Sequence, residues 1–471
     1  MLRAAILNPS ATVWLSPFGG STGMEKARGR ALAARHLVAG ITLVACATAL
    51  CAEDVSLSLA QALDLARKRN PEILAQRART EAEAARAQAI ERTNWPRVSL
   101  SSGWSRINTP SMVFAEKLNA GDFTQDDFAI DRLNSPDALS HLTTTLVAEV
   151  PVDVAGKVKA RVRAQTAAEQ ASSATCDESL QDLRLRVVEA YRRAALAQRV
   201  VAVAESALAS ARARETDVEA RVGEGASLRA DLLRVRARRR QREAELAERR
   251  ADAQIAVAML SRALAADPGV SYLPNELPAA PLPLEEEGAS LLVRALADRA
   301  SLRAASHRLQ RQTWTVRAEE RSNWPDLAAW GQIQDDRSGF STGNQSGALG
   351  VLLRWSLFDP ARGRRVAAAA AEVNAADFEV RASRDQVRLE VETAWRRAQA
   401  ARARHAAAAG GAEEGREALR VVHERYQEGM ATLTDELETE GASLAAELEE
   451  LRAASEAAIA DATLLRATGA L

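Results

Sequence analysis

The tripeptide Asn94-Trp95-Pro96 recurs as Asn323-Trp324-Pro325, and each copy stands at the same place in a longer pattern. An Ala- and Arg-rich helical stretch precedes it. Two alternating segments follow, the second closed by Asp153 or Asp359, and then a very long helical stretch that turns at Gly225 or Gly429. The chain reads as a tandem duplication of one helix–strand–strand–helix unit, and a repeat constrains architecture before any single residue does. The separation between matched anchors shrinks across the interval between the two strands and then barely changes. The copies therefore differ mainly in one loop, the longer in the first copy, as expected where a shared core carries variable connections.

This pattern divides the chain into a signal region (1–52), a first repeat (53–265), a Pro-rich linker (266–289) and a second repeat (290–471). Lys26, Arg28, Arg30 and Arg35 follow Met24, a second candidate start, and precede the apolar run 37–50. That run is too short to span a membrane comfortably and reads as an export signal. Cleavage after Ala49 or Ala52 is one reading. Acylation of Cys46, in a lipobox-like Leu43-Val44-Ala45-Cys46, is the other; the apolar run continues past Cys46, which favours the first. Beyond residue 52 no window is apolar enough for a transmembrane helix, so a membrane-spanning mature chain requires a closed barrel.

Four windows alternate with period two: about 97–107, 142–152, 326–334 and 347–358. Val98, Leu100, Ser102 and Trp104 share one face of the first; Leu349, Val351, Leu353, Trp355 and Leu357 share one face of the last. Strands apolar on one side and polar on the other are what a transmembrane barrel wall needs. Trp95, Trp104, Trp324, Trp330 and Trp355 lie in or beside these windows and are candidates for the membrane–water interface. Four strands cannot close a membrane barrel, so several chains must contribute.

Between the first two strands, 108–141 reads as a long exposed loop; its counterpart 336–346 is short. Helices are expected over 57–70 and up to Thr93, then from about Lys157 to Val222 and from Leu228 to Ala265. The second copy repeats them over 291–306 and 309–320, from Arg364 to Gln427 with an interruption at Gly410-Gly411, and from Thr432 to Thr468. Apolar residues at three- and four-residue steps, such as Leu183, Val187 and Tyr191, are coiled-coil behaviour. The chain is 47% hydrophobic yet only 4% aromatic; the difference is alanine, which favours close-packed helices over a thick core.

Net charge is −1, with Arg runs interleaved with Glu, so nucleic-acid binding lacks electrostatic support. His36, His141, His307, His405 and His423 form no ligand spacing, and Gly223-x-Gly225 follows no strand. Catalytic, cofactor and metal sites are not expected.

The chain resembles the TolC-like outer-membrane efflux proteins over about residues 55–468. The resemblance rests on the duplication, the Asn-Trp-Pro strand entries, the joins at Asp153 and Phe358-Asp359-Pro360, the turns 223–227 and 426–432, and Phe114-Ala115-Glu116-Lys117-Leu118-Asn119. It implies a mainly α fold with a small β part. Three chains would close a twelve-stranded β-barrel in the outer-membrane lipid of a Gram-negative-type bacterium, with an α-helical tunnel through the periplasm. It also implies a periplasmic adaptor meeting the tips at Gly225 and Gly429, an inner-membrane pump, and a passive conduit that these partners open. Asp435, Glu438 and Asp231 match acidic positions near the tips, and Tyr426 an aromatic one. Ala431 stands where family members can carry a basic residue, which puts a closing salt bridge in doubt. Carboxylate rings at a threefold constriction would favour cations; equally, acidic residues in a first helical turn stabilise the helix dipole. A periplasmic or cell-surface coiled-coil protein of structural or adhesive role is the alternative. It explains the helices but not the duplicated strands.

Overall fold

Residues 53–267, 269–275, 288–339 and 343–471 are described in a computed structural model. They belong, Glu53 aside, to one compact unit, Asp54–Leu471. The expected signal region, with Met24 and Cys46, lies outside the described residues.

The chain opens with strand β1 (Glu53–Leu57) and helix α1 (Leu59–Arg69), where Ser58 and Gln61 form a reciprocal capping box. Helix α2 (Pro71–Glu91) begins with Pro71 in its first turn and Asn70 accepting from the Glu72 and Ile73 amides. A single 3-10 turn, Arg92–Asn94, leads into β2 (Arg97–Ile107). Next come α3 (Pro110–Asn119), α4 (Ile130–Asn134) and β3 (Leu139–Val152). The first long hairpin is α5 (Lys157–Gly223) and α6 (Arg229–Ala263), followed by β4 (Val270–Pro274). The second copy comprises α7 (Gly288–Asp298), α8 (Ala300–Glu320), β5 (Asp326–Ser338), β6 (Asn344–Arg354), α9 (Arg362–Gln427) and α10 (Leu433–Thr468). With 67 residues, α5 is about 100 Å long at the helical rise.

Several sequence expectations are corrected here. The segment 108–141 is not an open loop: it folds into α3, a 3-10 turn at Gln125–Phe128 and α4, held by Lys117 Nζ donating to Asp127 at 2.6 Å. The linker 266–289 contains β4, which pairs with β1, so its described part ties the middle of the chain to its start. The last strand stops at Arg354 rather than 358, because its ladder with β5 ends where Asp326 meets Arg354. In the shorter loop the strands continue to Ser338 and resume at Asn344, and 340–342 lie outside the described residues. The break between the paired short helices of the second copy falls at Arg299, not near 307. Arg299 stands where Asn70-Pro71 stands in the first copy but lacks the Pro that announces a boundary. Finally, α9 runs unbroken through Gly410-Gly411; packing against α10 outweighs the ~1 kcal/mol propensity cost of each glycine.

The duplication is visible in the core. In the first copy Leu57, Ala62, Ala66 and Ile73 pack on Leu183, Val187 and Tyr191 of α5 and on Leu260 of α6. In the second, Leu291 and Ala295 pack on Val387, Val391 and Ala398 of α9 and on Leu464 of α10. Buried Ala160, Ala167, Ala171 and Ala174 let neighbouring helices approach α5 closely. An ionic cluster joins the copies. Arg299, only 2% exposed, donates to Glu178 at 2.8 Å and Glu390 at 2.7 Å, and Arg466 donates to Glu390 at 2.8 Å.

The strands form one antiparallel sheet in the order β2-β3-β5-β6. The two repeats therefore meet at β3–β5, while β2 and β6 are its edges. Each strand-to-helix join is fixed by an aspartate: Asp153 accepts from the Lys159 amide at 3.0 Å, and Asp359 from the Ala361 amide at 3.0 Å.

Candidate functional site

At the end of the molecule far from the sheet, both hairpins turn by the same device. Gly225 and Gly429 each have φ of +76°, a backbone region that L side chains enter at a cost. Around them, Ala226 N–H donates to Arg221 O and Met430 N–H to Arg425 O, both at 2.8 Å, which satisfies the last helical carbonyls. Leu228 and Met430 are 70% and 67% exposed at these turns.

The four aperture candidates occupy different environments. Asp435 accepts from the Thr432 amide at 2.9 Å and its hydroxyl at 2.7 Å, closing a capping box at the start of α10. The Thr432 hydroxyl and amide together hold this carboxyl below its ordinary range. Asp231 lies in the first turn of α6 and pairs with Arg234 at 3.2 Å. Glu438 is exposed. Tyr426 is half-buried beside Val218, Val235 and Leu433, with the Arg221 guanidinium 5.5 Å from its ring; burial pushes its phenol up.

Sequence reading missed the buried acid of the tip, Glu436, which is 1% exposed. Arg214 Nη1 of α5 lies 3.1 Å from one Glu436 oxygen, and His423 Nδ1 of α9 lies 2.6 Å from the same oxygen. Glu440 stands 3.4 Å from Arg214. The signal was present: Leu433, Glu436 and Glu440 recur at steps that put them on one helical face, so an acid sits on an apolar stripe.

The sheet has two unlike faces. Register places Val98, Leu100 and Trp104 of β2 beside Leu142, Leu146 and Ala148 of β3, continued by Ile333 of β5 and Leu349 and Val351 of β6. Leu349 is 90% exposed and Leu100 70% in the single chain. The other face carries Ser99, Ser101, Thr143, Thr145, Gln332, Gln334 and Ser346. Trp330 belongs to this second face: it is opposite Gly350, and a Cβ there would stand 3.1 Å from the indole. Trp330 and Trp104 therefore lie on opposite faces of the sheet. Trp95, Trp324 and Trp355 sit at the helix end of the sheet, each more than half exposed, and Trp355 Nε1 donates to Asn323 O at 2.9 Å.

At the opposite end of the polar face, residues far apart in sequence converge. His141 of β3 lies between Glu116 of α3, at 3.1 Å from Nδ1, and Asp336 of β5, at 3.3 Å from Nε2. No local spacing announces this trio, because three elements supply it.

Among the described residues no helix is long and apolar enough to cross a membrane. Long helical hairpins joined to a short four-stranded sheet with one apolar, exposed face define the class of fold. The chain matches the outer membrane efflux protein family over residues 62–266 and 291–470, one stretch per repeat, and belongs to it. Its fold is similar to that of the CmeC outer membrane channel of Campylobacter jejuni, with TM-score 0.71 and 16% identity over 88% of this chain and 85% of that one. The outer membrane protein VceC of Vibrio cholerae gives TM-score 0.68 and 20% identity over 87% and 96%. The MtrE outer membrane channel of Neisseria gonorrhoeae, in its open state, gives 0.70 and 20% over 87% and 88%. No curated protein matches the chain. The protein is thus an outer-membrane efflux channel of a family of channels rather than enzymes. The adhesive coiled-coil reading is not favoured, since it leaves the duplicated strands unexplained.

Proposed function

We propose that three copies close a twelve-stranded barrel, with β2 of each chain bonded to β6 of the next. The observation that carries this reading is the sheet itself. Its two outer strands present open edges, and its Leu349–Leu100 face is apolar and exposed. In lipid every strand edge must be paired, so an open four-stranded sheet has to close with partners. The apolar face then meets lipid and the Ser, Thr and Gln face lines an aqueous pore. The helical hairpins extend about 100 Å into the periplasm, and residues 1–52 serve as the export signal.

In the same reading the tips at Gly225 and Gly429 meet a periplasmic adaptor, with Leu228 and Met430 as apolar contacts, and the adaptor joins an inner-membrane pump. The conduit is passive, and selectivity comes largely from the pump. Asp435, Glu438 and Asp231 ring the periplasmic aperture near Tyr426. The capping bonds of Asp435 leave it anionic, and an anionic ring favours cations. Purified protein in planar bilayers should form long-lived, cation-preferring pores without added energy. Asp435→Ala with Glu438→Ala should raise conductance or reduce that preference. Absence of pores contradicts the channel reading; pores with unchanged current remove only the acidic ring.

A further inference from the structure

Glu116, His141 and Asp336 offer one ligand atom each, and all three atoms lie within 4.8 Å of one another. We propose that this trio is a divalent transition-metal site that staples helix α3 onto strands β3 and β5. None of the tip or lipid-facing residues takes part.

The charge balance favours a cation. His141 and Asp336 are 2% and 1% exposed, and Glu116 is 24% exposed at its side chain. A neutral imidazole has a single N–H and cannot donate to carboxylates at both ring nitrogens. Two carboxylates and a neutral ring carry a formal charge of −2, which is costly to bury. The adjoining bases are committed elsewhere: Lys117 to Asp127 at 2.6 Å and Arg337 to Asp335 at 2.7 Å. A divalent ion cancels that charge.

The donor set and its surroundings suit the same occupant. One imidazole nitrogen and two carboxylate oxygens match zinc, and by hardness also manganese, better than a soft monovalent ion. Gln334 Nε2 donates to both Asp336 oxygens, at 3.1 and 2.8 Å, and Gln332 Nε2 donates to Gln334 Oε1 at 2.9 Å. Such outer hydrogen bonds orient ligands at metal sites. The Thr143 hydroxyl stands 3.3 Å from His141 Nε2. Asn344 Nδ2 donates to Asn119 O at 2.9 Å, so the end of α3 is already held against β6 and Glu116 is kept near its partners.

The test uses the full-length, detergent-purified protein after chelator treatment. Equilibrium dialysis against Zn²⁺ should give one saturable site per chain, weakened at least about tenfold in Glu116→Gln and abolished in His141→Asn. Co²⁺ should give a visible ligand-field band that disappears in His141→Asn, and Zn²⁺ should slow amide exchange across Pro110–Asn119. Glu116 lies at the surface of α3, so Glu116→Gln keeps a folded reference if His141→Asn does not fold. Absence of saturable binding, or binding unaltered in Glu116→Gln, overturns the proposal and leaves the trio as a purely structural contact.

Discussion

The Arg214 guanidinium of the first hairpin lies 3.1 Å from the buried Glu436 carboxylate of the second. This contact crosses from one repeat to the other at the tip, where α5 and α10 approach each other. Removing one partner of a buried pair leaves an uncompensated charge, at a cost of about 3–5 kcal/mol. Arg214→Met should therefore loosen the second tip, seen as faster amide exchange in the first turns of α10. Arg214→Met combined with Glu436→Leu should recover part of that protection, because the buried Glu436 charge is gone while Glu440 still loses its Arg214 partner. A double variant as loose as the single one contradicts this account of the tip.

Gly225 and Gly429 have open space where a Cβ would be, so their constraint is the +76° φ alone. Gly429→Ala should cost about 1–2 kcal/mol locally, measured as increased proteolysis at residues 427–432. Gly363 has open space and no positive φ, so Gly363→Ala should be neutral or slightly stabilising.

Much of this fold was legible because two periods dominate the chain. Alternation at Leu349, Val351 and Leu353 marked β6, and helical spacing at Leu183, Val187 and Tyr191 marked α5. What sequence hid was non-local. Strand β4 is legible only through its pairing with β1, and the boundary at Arg299 carries no Pro to announce it, its side chain being held by Glu178 and Glu390. At the tip, Asp435 read as a pore acid while its carboxylate closes a capping box with Thr432. The buried acid, Glu436, needed the position of α5 to be seen. The Glu116–His141–Asp336 trio depends on the β3–β5 register and on where α3 packs against it.

The two faces of the sheet should respond oppositely to charge. Leu349→Arg places a cation on the apolar face and should cost about 2–4 kcal/mol near the bilayer midplane. Ser346→Arg, on the other face of the same strand, should be tolerated and change ion preference. The heat-resistant fraction in outer-membrane extracts measures the first and bilayer current the second.

Glu390 links Arg299 and Arg466 within the second repeat, beside the Glu178 contact that joins the two copies. Burial would raise its carboxyl, but the Gln386 hydrogen bond and the two guanidinium groups outweigh burial and hold it below the ordinary 4.5. A depressed folded-state value means stability fully present above about pH 4.5 and lost as pH falls through the folded value. Glu390→Gln should cost about 1.5–3 kcal/mol at neutral pH and flatten acid unfolding below pH 4.5. Thermal melts from pH 7 to pH 3 check both.

The central claim is that open edges at β2 and β6 are closed by neighbouring chains. Native mass spectrometry of protein extracted from outer membranes, with amide exchange read at Arg97–Ile107 and Asn344–Arg354, tests it most directly. A three-chain assembly with both edge strands as slowly exchanging as β3 and β5 is the predicted result. A single chain whose β2 and β6 exchange freely while β3 and β5 stay protected would contradict it.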